Sequence, residues 1–205
     1  MRAPTGPPVP EPARVFLEAL LTSTGLVALG EMGDKTQLLA MLLAARFRRP
    51  WPIVAGILVA TLANHALAAA VGGWVAAQLG PDWLRWIIGL GFLGMAAWML
   101  VPDQAEEVDA GAGRLGVFGA TVVAFFLAEM GDKTQIATVA LAARYDALVA
   151  VVVGTTLGMM IANVPAVFFG EGIARRVPMR WVHALAALLF ALLGVATLAG
   201  LGALP

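Results

Sequence analysis

Two copies of EMGDKTQ, at Glu31–Gln37 and Glu129–Gln135, place a glutamate, an aspartate and a lysine inside long apolar stretches. Ionisable groups in such surroundings are expensive to keep and mark ion or proton pathways. Lys35 and Lys133 are the only lysines in a chain that otherwise uses arginine. A compact, titratable cation therefore belongs to the chemistry of the motif. On a regular helix at about 100° per residue, Gln37, Asp34, Glu31 and Lys35 fall in that order on one face about 160° wide, and Gln135, Asp132, Glu129 and Lys133 repeat it. Met32 and Thr36 point away from that face unless the helix breaks at Gly33.

Carboxylates of Glu31, Asp34, Glu129 and Asp132, amides of Gln37 and Gln135, and hydroxyls of Thr36 and Thr134 make a hard, oxygen-rich donor set. Calcium and manganese suit it, whereas zinc and copper(I) favour imidazole and thiolate, and cysteine is absent. Magnesium fits less well because it gives up water reluctantly. Two carboxylates and one lysine leave each copy a formal charge of minus one, so two copies brought together total minus two. One divalent cation or two protons would neutralise them, which is the logic of a cation/proton exchanger. Lys35 and Lys133 follow their glutamates at i+4, the spacing of an intrahelical ion pair, and are expected to hold the carboxylates ionised or to serve as internal cations. Asn64 and Asn163, the only asparagines, either add ligands or bond to backbone opened by a helix break.

The elements that must position these residues are membrane helices. Of 205 residues 60% are hydrophobic and 13% charged, with net charge zero and a mean hydropathy of +0.87. That lies outside the range of soluble domains, and no basic cluster suits nucleic acid. At about 20 apolar residues per crossing, six helices are predicted at roughly 15–45, 52–78, 83–101, 115–143, 147–170 and 181–202. The first and fourth are too long for a straight crossing, and Gly30, Gly33 and Gly131 sit beside the carboxylates where a break is useful. Glu31 lies about 16 residues and Glu129 about 14 into their helices, which puts both near the bilayer centre.

The motifs are 98 residues apart (31 to 129). At that spacing LLAAR at 42–46 falls on ALAAR at 140–144; Ala63-Asn64 matches Ala162-Asn163 one residue out of step, and Gly94 and Gly194 mark similar points in the third helix of each half. Three crossings per half invert the second copy. The expected fold is all-α, a polytopic six-helix bundle of two inverted three-helix repeats at 15–101 and 115–205. An acidic cytosolic linker at 102–114 joins them, and a proline-rich, disordered lead at 1–14 precedes them. The first apolar segment resembles a secretory signal but shows no cleavage site, so it is expected to be retained. Arg46, Arg48, Arg49, Arg114, Arg175, Arg176 and Arg180 follow helices one, three and five, against Arg2, Arg14, Arg85 and Arg144 on the other side. The first group is therefore expected in the cytoplasm and both termini outside.

The doubled motif resembles the transporter family defined by two E-x-G-D-[KR]-[ST] motifs in inverted three-helix repeats. That family takes in Golgi manganese and calcium transporters, chloroplast manganese carriers and bacterial manganese exporters. The likeness covers nearly the whole chain after the lead. It implies exchange of manganese or calcium for protons in a membrane, here a bacterial plasma membrane, with Glu31, Asp34, Glu129 and Asp132 binding the ion and Gln37, Gln135, Thr36 and Thr134 as accessory groups. No cofactor and no enzymatic activity are implied, the metal being substrate; protons and lipid are the other partners. Lys133 and Thr134 stand where arginine and serine are frequent in relatives, and methionine fills the variable position of both copies.

Rival readings ask for other features. A proton-driven exporter of a small organic cation or amino acid needs aromatic groups around the carboxylates, where this stripe has glycine and alanine. An intramembrane aspartyl protease needs aspartates on non-equivalent helices, and a passive channel needs faster release than carboxylate–lysine clusters give. A purely structural charge network needs no matching second copy. His65 and His183 do not match between halves and read as hydrogen-bonded structural residues rather than a proton relay. Trp51, Trp83, Trp86 and Trp181 read as interfacial anchors, Pro165 as a kink, and Glu18 and Glu171 as wet residues near segment ends.

Overall fold

The computed structural model describes residues 11–101, 112–170 and 179–201. They form α1 (Glu11–Glu31), α2 (Lys35–Phe47), α3 (Pro50–Gln78), α4 (Pro81–Trp98), α5 (Ala112–Glu129), α6 (Lys133–Arg144), α7 (Leu148–Phe169) and α8 (Met179–Leu198), with no strand among the described residues. Proline opens α3 and α4, where its missing N–H is one that a first turn leaves unbonded anyway. The predicted first and fourth helices are each two helices, interrupted between Glu31 and Lys35 and between Glu129 and Lys133.

Four helices, α1, α3, α7 and α8, are long and apolar enough to cross a membrane, and α5 with α6, bent by 72°, makes a fifth span if counted as one. The chain is an integral membrane protein. Of the six expected crossings, the one not among these is α4, an 18-residue helix with Asp82 and Arg85 in its first turns. α1 starts at Glu11 because Pro12 is tolerated in a first turn, so residues 11–14 of the expected lead are helical. The rest of that lead, residues 102–111 of the expected linker, and Glu171, Arg175 and Arg176 lie outside the described residues, while residues 112–114 of that linker are helical and open α5. With 21 residues, α1 is about 30 Å long at 1.5 Å per residue. Glu31 thus stands at the end of a full-length helix rather than half-way along a longer one.

α1 packs on α7 and α5 packs on α3, while α4 pairs with α8. The tight crossings are built alike. A side chain at Gly56 would collide with Thr121 and the Phe118 carbonyl, and one at Gly154 with Ser23 and the Leu20 carbonyl. Those three pairs of positions are each 98 apart. Small residues let backbones approach where lipid supplies no hydrophobic drive. Burial along α4, its capping residue Met99 and α8 follows the same spacing, with Ile88 and Ala186, Phe92 and Phe190, and Met99 and Thr197 all buried. This corrects the match of Gly94 with Gly194: no described residue lies within 4 Å of a Cβ at Gly94, Gly194 packs on Leu93 and the Gly89 carbonyl, and its counterpart is buried Ala96. Two apolar cores result, one joining α4 and α8 to α1, α6 and the start of α7, the other joining α2, α3 and α5 to the end of α7.

Candidate ion site at the two helix breaks

Both motifs interrupt their helices by the same turn. Gly33 (φ 82°) and Gly131 (φ 77°) occupy the left-handed region, which a residue without Cβ enters at no steric cost. Asp34 and Asp132 follow in extended backbone, ψ 170° and 166°, and start α2 and α6. The Asp34 N–H donates to the Glu31 carbonyl at 3.1 Å, and the Asp132 N–H to the Glu129 carbonyl at 3.2 Å.

Gln37 and Gln135 brace these turns. The Gly33 N–H donates to Gln37 Oε1 at 3.1 Å and the Gly131 N–H to Gln135 Oε1 at 2.7 Å. Each amide then crosses to the other half: Gln37 Nε2 donates to the Ala162 carbonyl at 2.9 Å, Gln135 Nε2 to Asn64 Oδ1 at 2.5 Å. Asn64 Nδ2 donates to the Phe126 carbonyl at 3.2 Å, an acceptor freed because the Met130 N–H bonds Leu127 instead. Asn163 bonds within its own helix, to the Met159 carbonyl at 3.1 Å. At the 98-residue spacing Asn64 corresponds to Ala162 and His65 to Asn163, so the two glutamines reach equivalent positions although the asparagines are not equivalent.

Thr36 is re-aimed by the break. Five residues after Glu31 it would lie about 140° round a regular helix, yet its Oγ1 donates to Glu31 Oε2 at 2.6 Å, and Thr134 Oγ1 does the same to Glu129 Oε2 at 3.0 Å. Oε1 of each glutamate has no hydrogen-bond partner among the described residues, although both side chains are fully buried. Glu31 from one half and Glu129 and Asp132 from the other each present an oxygen, and the three atoms lie within 4.8 Å of one another. Asp34 is buried too but stands outside this trio. Lys35 Nζ, which the break takes out of the helix of Glu31, reaches across the halves to Asp132 Oδ1 at 3.3 Å. Lys133 Nζ donates to the Val101 carbonyl at 2.9 Å. A buried carboxylate oxygen without a donor is costly until a cation or a proton completes it.

Several neighbours of the site escape linear reading. His183 Nε2 lies 2.8 Å from the Met32 carbonyl, and side chains added at Gly30 and Gly33 would press on Met99 and Met179. Nothing in the spacing ties α4 or α8 to the first break. His65 departs from its expected hydrogen-bonded role: it is fully buried, and neither ring nitrogen has a partner among the described residues.

No solved structure matches the chain. A protein of Vibrio cholerae serotype O1 named "Putative manganese exporter" is 51% identical over 189 residues, spanning 92% of this chain and 94% of its own. A GDT1-like protein of Synechocystis sp. is 32% identical over 201 residues, spanning 88% and 96%. GDT1-like protein 4 of Oryza sativa subsp. indica is 29% identical over 202 residues, spanning 85% and 71%. The family described as Divalent cation/proton antiporter GDT1 matches residues 19–107 and 117–202. With both helix breaks and the carboxylates beside them inside the matched stretches, the chain belongs to the divalent cation/proton antiporter GDT1 family.

Proposed function

We propose that the protein exchanges a divalent cation, manganese or calcium, for protons across a bacterial plasma membrane and so moves metal out of the cytosol. Family membership makes it a divalent cation transporter rather than an enzyme, with the metal as cargo and no cofactor. The name of the 51% identical relative favours manganese. One observation carries the reading: Glu31, Glu129 and Asp132 converge from the two halves, and each glutamate keeps one buried oxygen without a donor.

In this reading those three carboxylates and Asp34 take the ion, Thr36 and Thr134 fix the glutamates, and Gln37 and Gln135 keep the turns in shape. Lys35 competes with the metal for Asp132. Protons loading the same carboxylates displace the metal, two of them preserving neutrality. The contacts at 98-residue spacing support six crossings arranged as inverted repeats, and alternating access follows from that symmetry. By the arginine rule the α2–α3 connection, with Arg46, Arg48 and Arg49, faces the cytosol.

The test is reconstitution in vesicles under an imposed pH gradient, with manganese, calcium and magnesium uptake compared for wild type, Glu31→Gln and Glu129→Gln. Both variants should lose most of the transport, and wild-type rates in both would refute the site. Metal flux indifferent to the pH gradient would remove the exchange.

A further inference from the structure

The 98-residue correspondence holds for both breaks and for the α1–α7 and α5–α3 crossings, and it fails for the seating of α4 and α8. These two helices pack on each other, Gly89 on Gly194 and Phe92 on Phe190 with ring centroids 6.1 Å apart. As a pair they lie on α1 and α6 and have no comparable packing on α2 or α5 among the described residues.

Three contacts fasten the pair there. Met179 stands against Gly33, His183 Nε2 lies 2.8 Å from the Met32 carbonyl, and Arg144 donates to the Thr197 hydroxyl. At the same spacing the equivalents are Pro81 against Gly131, Arg85 on the Met130 carbonyl, and Arg46 with Met99. None of these is made. Among the described residues nothing lies within 4 Å of where a Cβ on Gly131 would stand, and Met130 is 57% exposed where Met32 is half-buried. Arg85 Nε is buried with no partner among the described residues. Arg46 and Arg144 each lie over the aromatic ring that follows them, yet Arg46 is exposed and Arg144 is 6% exposed.

We infer that α4 and α8 move as one body between two seats related by the internal symmetry, and that Arg85 is the counterpart of His183, docking on the Met130 carbonyl when the seat changes. The inference rests on the exchange reading and says which part moves. Each latch bonds a carbonyl beside a break, where the interrupted helix ladder leaves acceptors for other donors. Changing seats therefore trades one carbonyl bond for another of the same kind, which keeps the two states close in energy. The seat seen here closes the half of the molecule built by α1 and α6. Under the arginine rule that is the outer half, so this seat takes metal from the cytosol.

The chain has no cysteine, so thiol pairs can be placed in the intact protein. Met32→Cys with Met179→Cys reports the present seat, and Met130→Cys with Pro81→Cys reports the other, and both pairs leave His183 and Arg85 in place. In vesicles, a short, reducible bifunctional thiol reagent should link both pairs, with yields that move several-fold in opposite directions as pH and manganese are varied. Each link should stop manganese transport and reduction should restore it. In a separate arm, Arg85→Leu should raise the linking of the first pair and slow transport, and Arg85→Lys, which keeps a donor, should restore both. A first pair that links without loss of transport, or a second pair that links under no condition, overturns the two seats. An Arg85→Leu protein with unchanged linking overturns the role of Arg85. Opposed yields in a protein that carries no metal would keep the seats and sink the exchange reading; exchange without opposed yields would do the reverse.

Discussion

Thr36 and Thr134 each hold one oxygen of a fully buried glutamate and leave the other without a donor. Thr36→Val keeps the shape and strips that donor, which costs about 1–3 kcal/mol for a buried acceptor. Thermal unfolding in detergent should show the loss, together with weaker manganese affinity, and Thr36→Ser should recover most of both. A valine variant with wild-type midpoint and affinity would mean the hydroxyl does nothing for Glu31. The carboxylates and lysines were legible because the same residue types recur at one spacing in surroundings that penalise charge. Their partners were not, since Lys35 finds Asp132, and Gln37 finds Ala162, across the two halves of the chain. A regular helical wheel also turned Thr36 away from Glu31, because the wheel assumes an unbroken helix.

At the scale of elements, the two breaks and the glycine crossings make separable demands. Gly131→Ala should lose about 1–2 kcal/mol from its left-handed backbone alone. Gly33→Ala should lose more, because its new Cβ would also come within 3.0 Å of Met179. Equal losses at the two positions would argue against the packing of α8 on the first break. Gly154→Ala should lower the unfolding midpoint further, since its Cβ would stand 2.6 Å from the Leu20 carbonyl and α1 would have to back away, a strain of about 1–3 kcal/mol. Gly94→Ala, with nothing within 4 Å among the described residues, should be neutral or gain up to about 1 kcal/mol in helix propensity. Glycine beside the motif carboxylates foretold the breaks. The start of α1 was misplaced because proline reads as a helix breaker in a composition argument, yet it is harmless in a first turn.

For the whole molecule, manganese bound to the native state should raise the unfolding midpoint with increasing metal, and the rise should vanish in Glu31→Gln and Glu129→Gln. An undiminished rise in both variants would place the ion elsewhere. Two like halves were readable from one heptapeptide printed twice. Which seat α4 and α8 occupy was not, because identical motifs cannot say on which side a shared partner rests. The crossing of Gln37 to Ala162 and of Lys35 to Asp132 also bears on synthesis. When the first half leaves the ribosome, Glu31 and Lys35 enter the insertion machinery well before their mates exist. The second half then arrives as a chaperone carried on the same polypeptide, and a chain cut at the linker should be a substrate for membrane quality control.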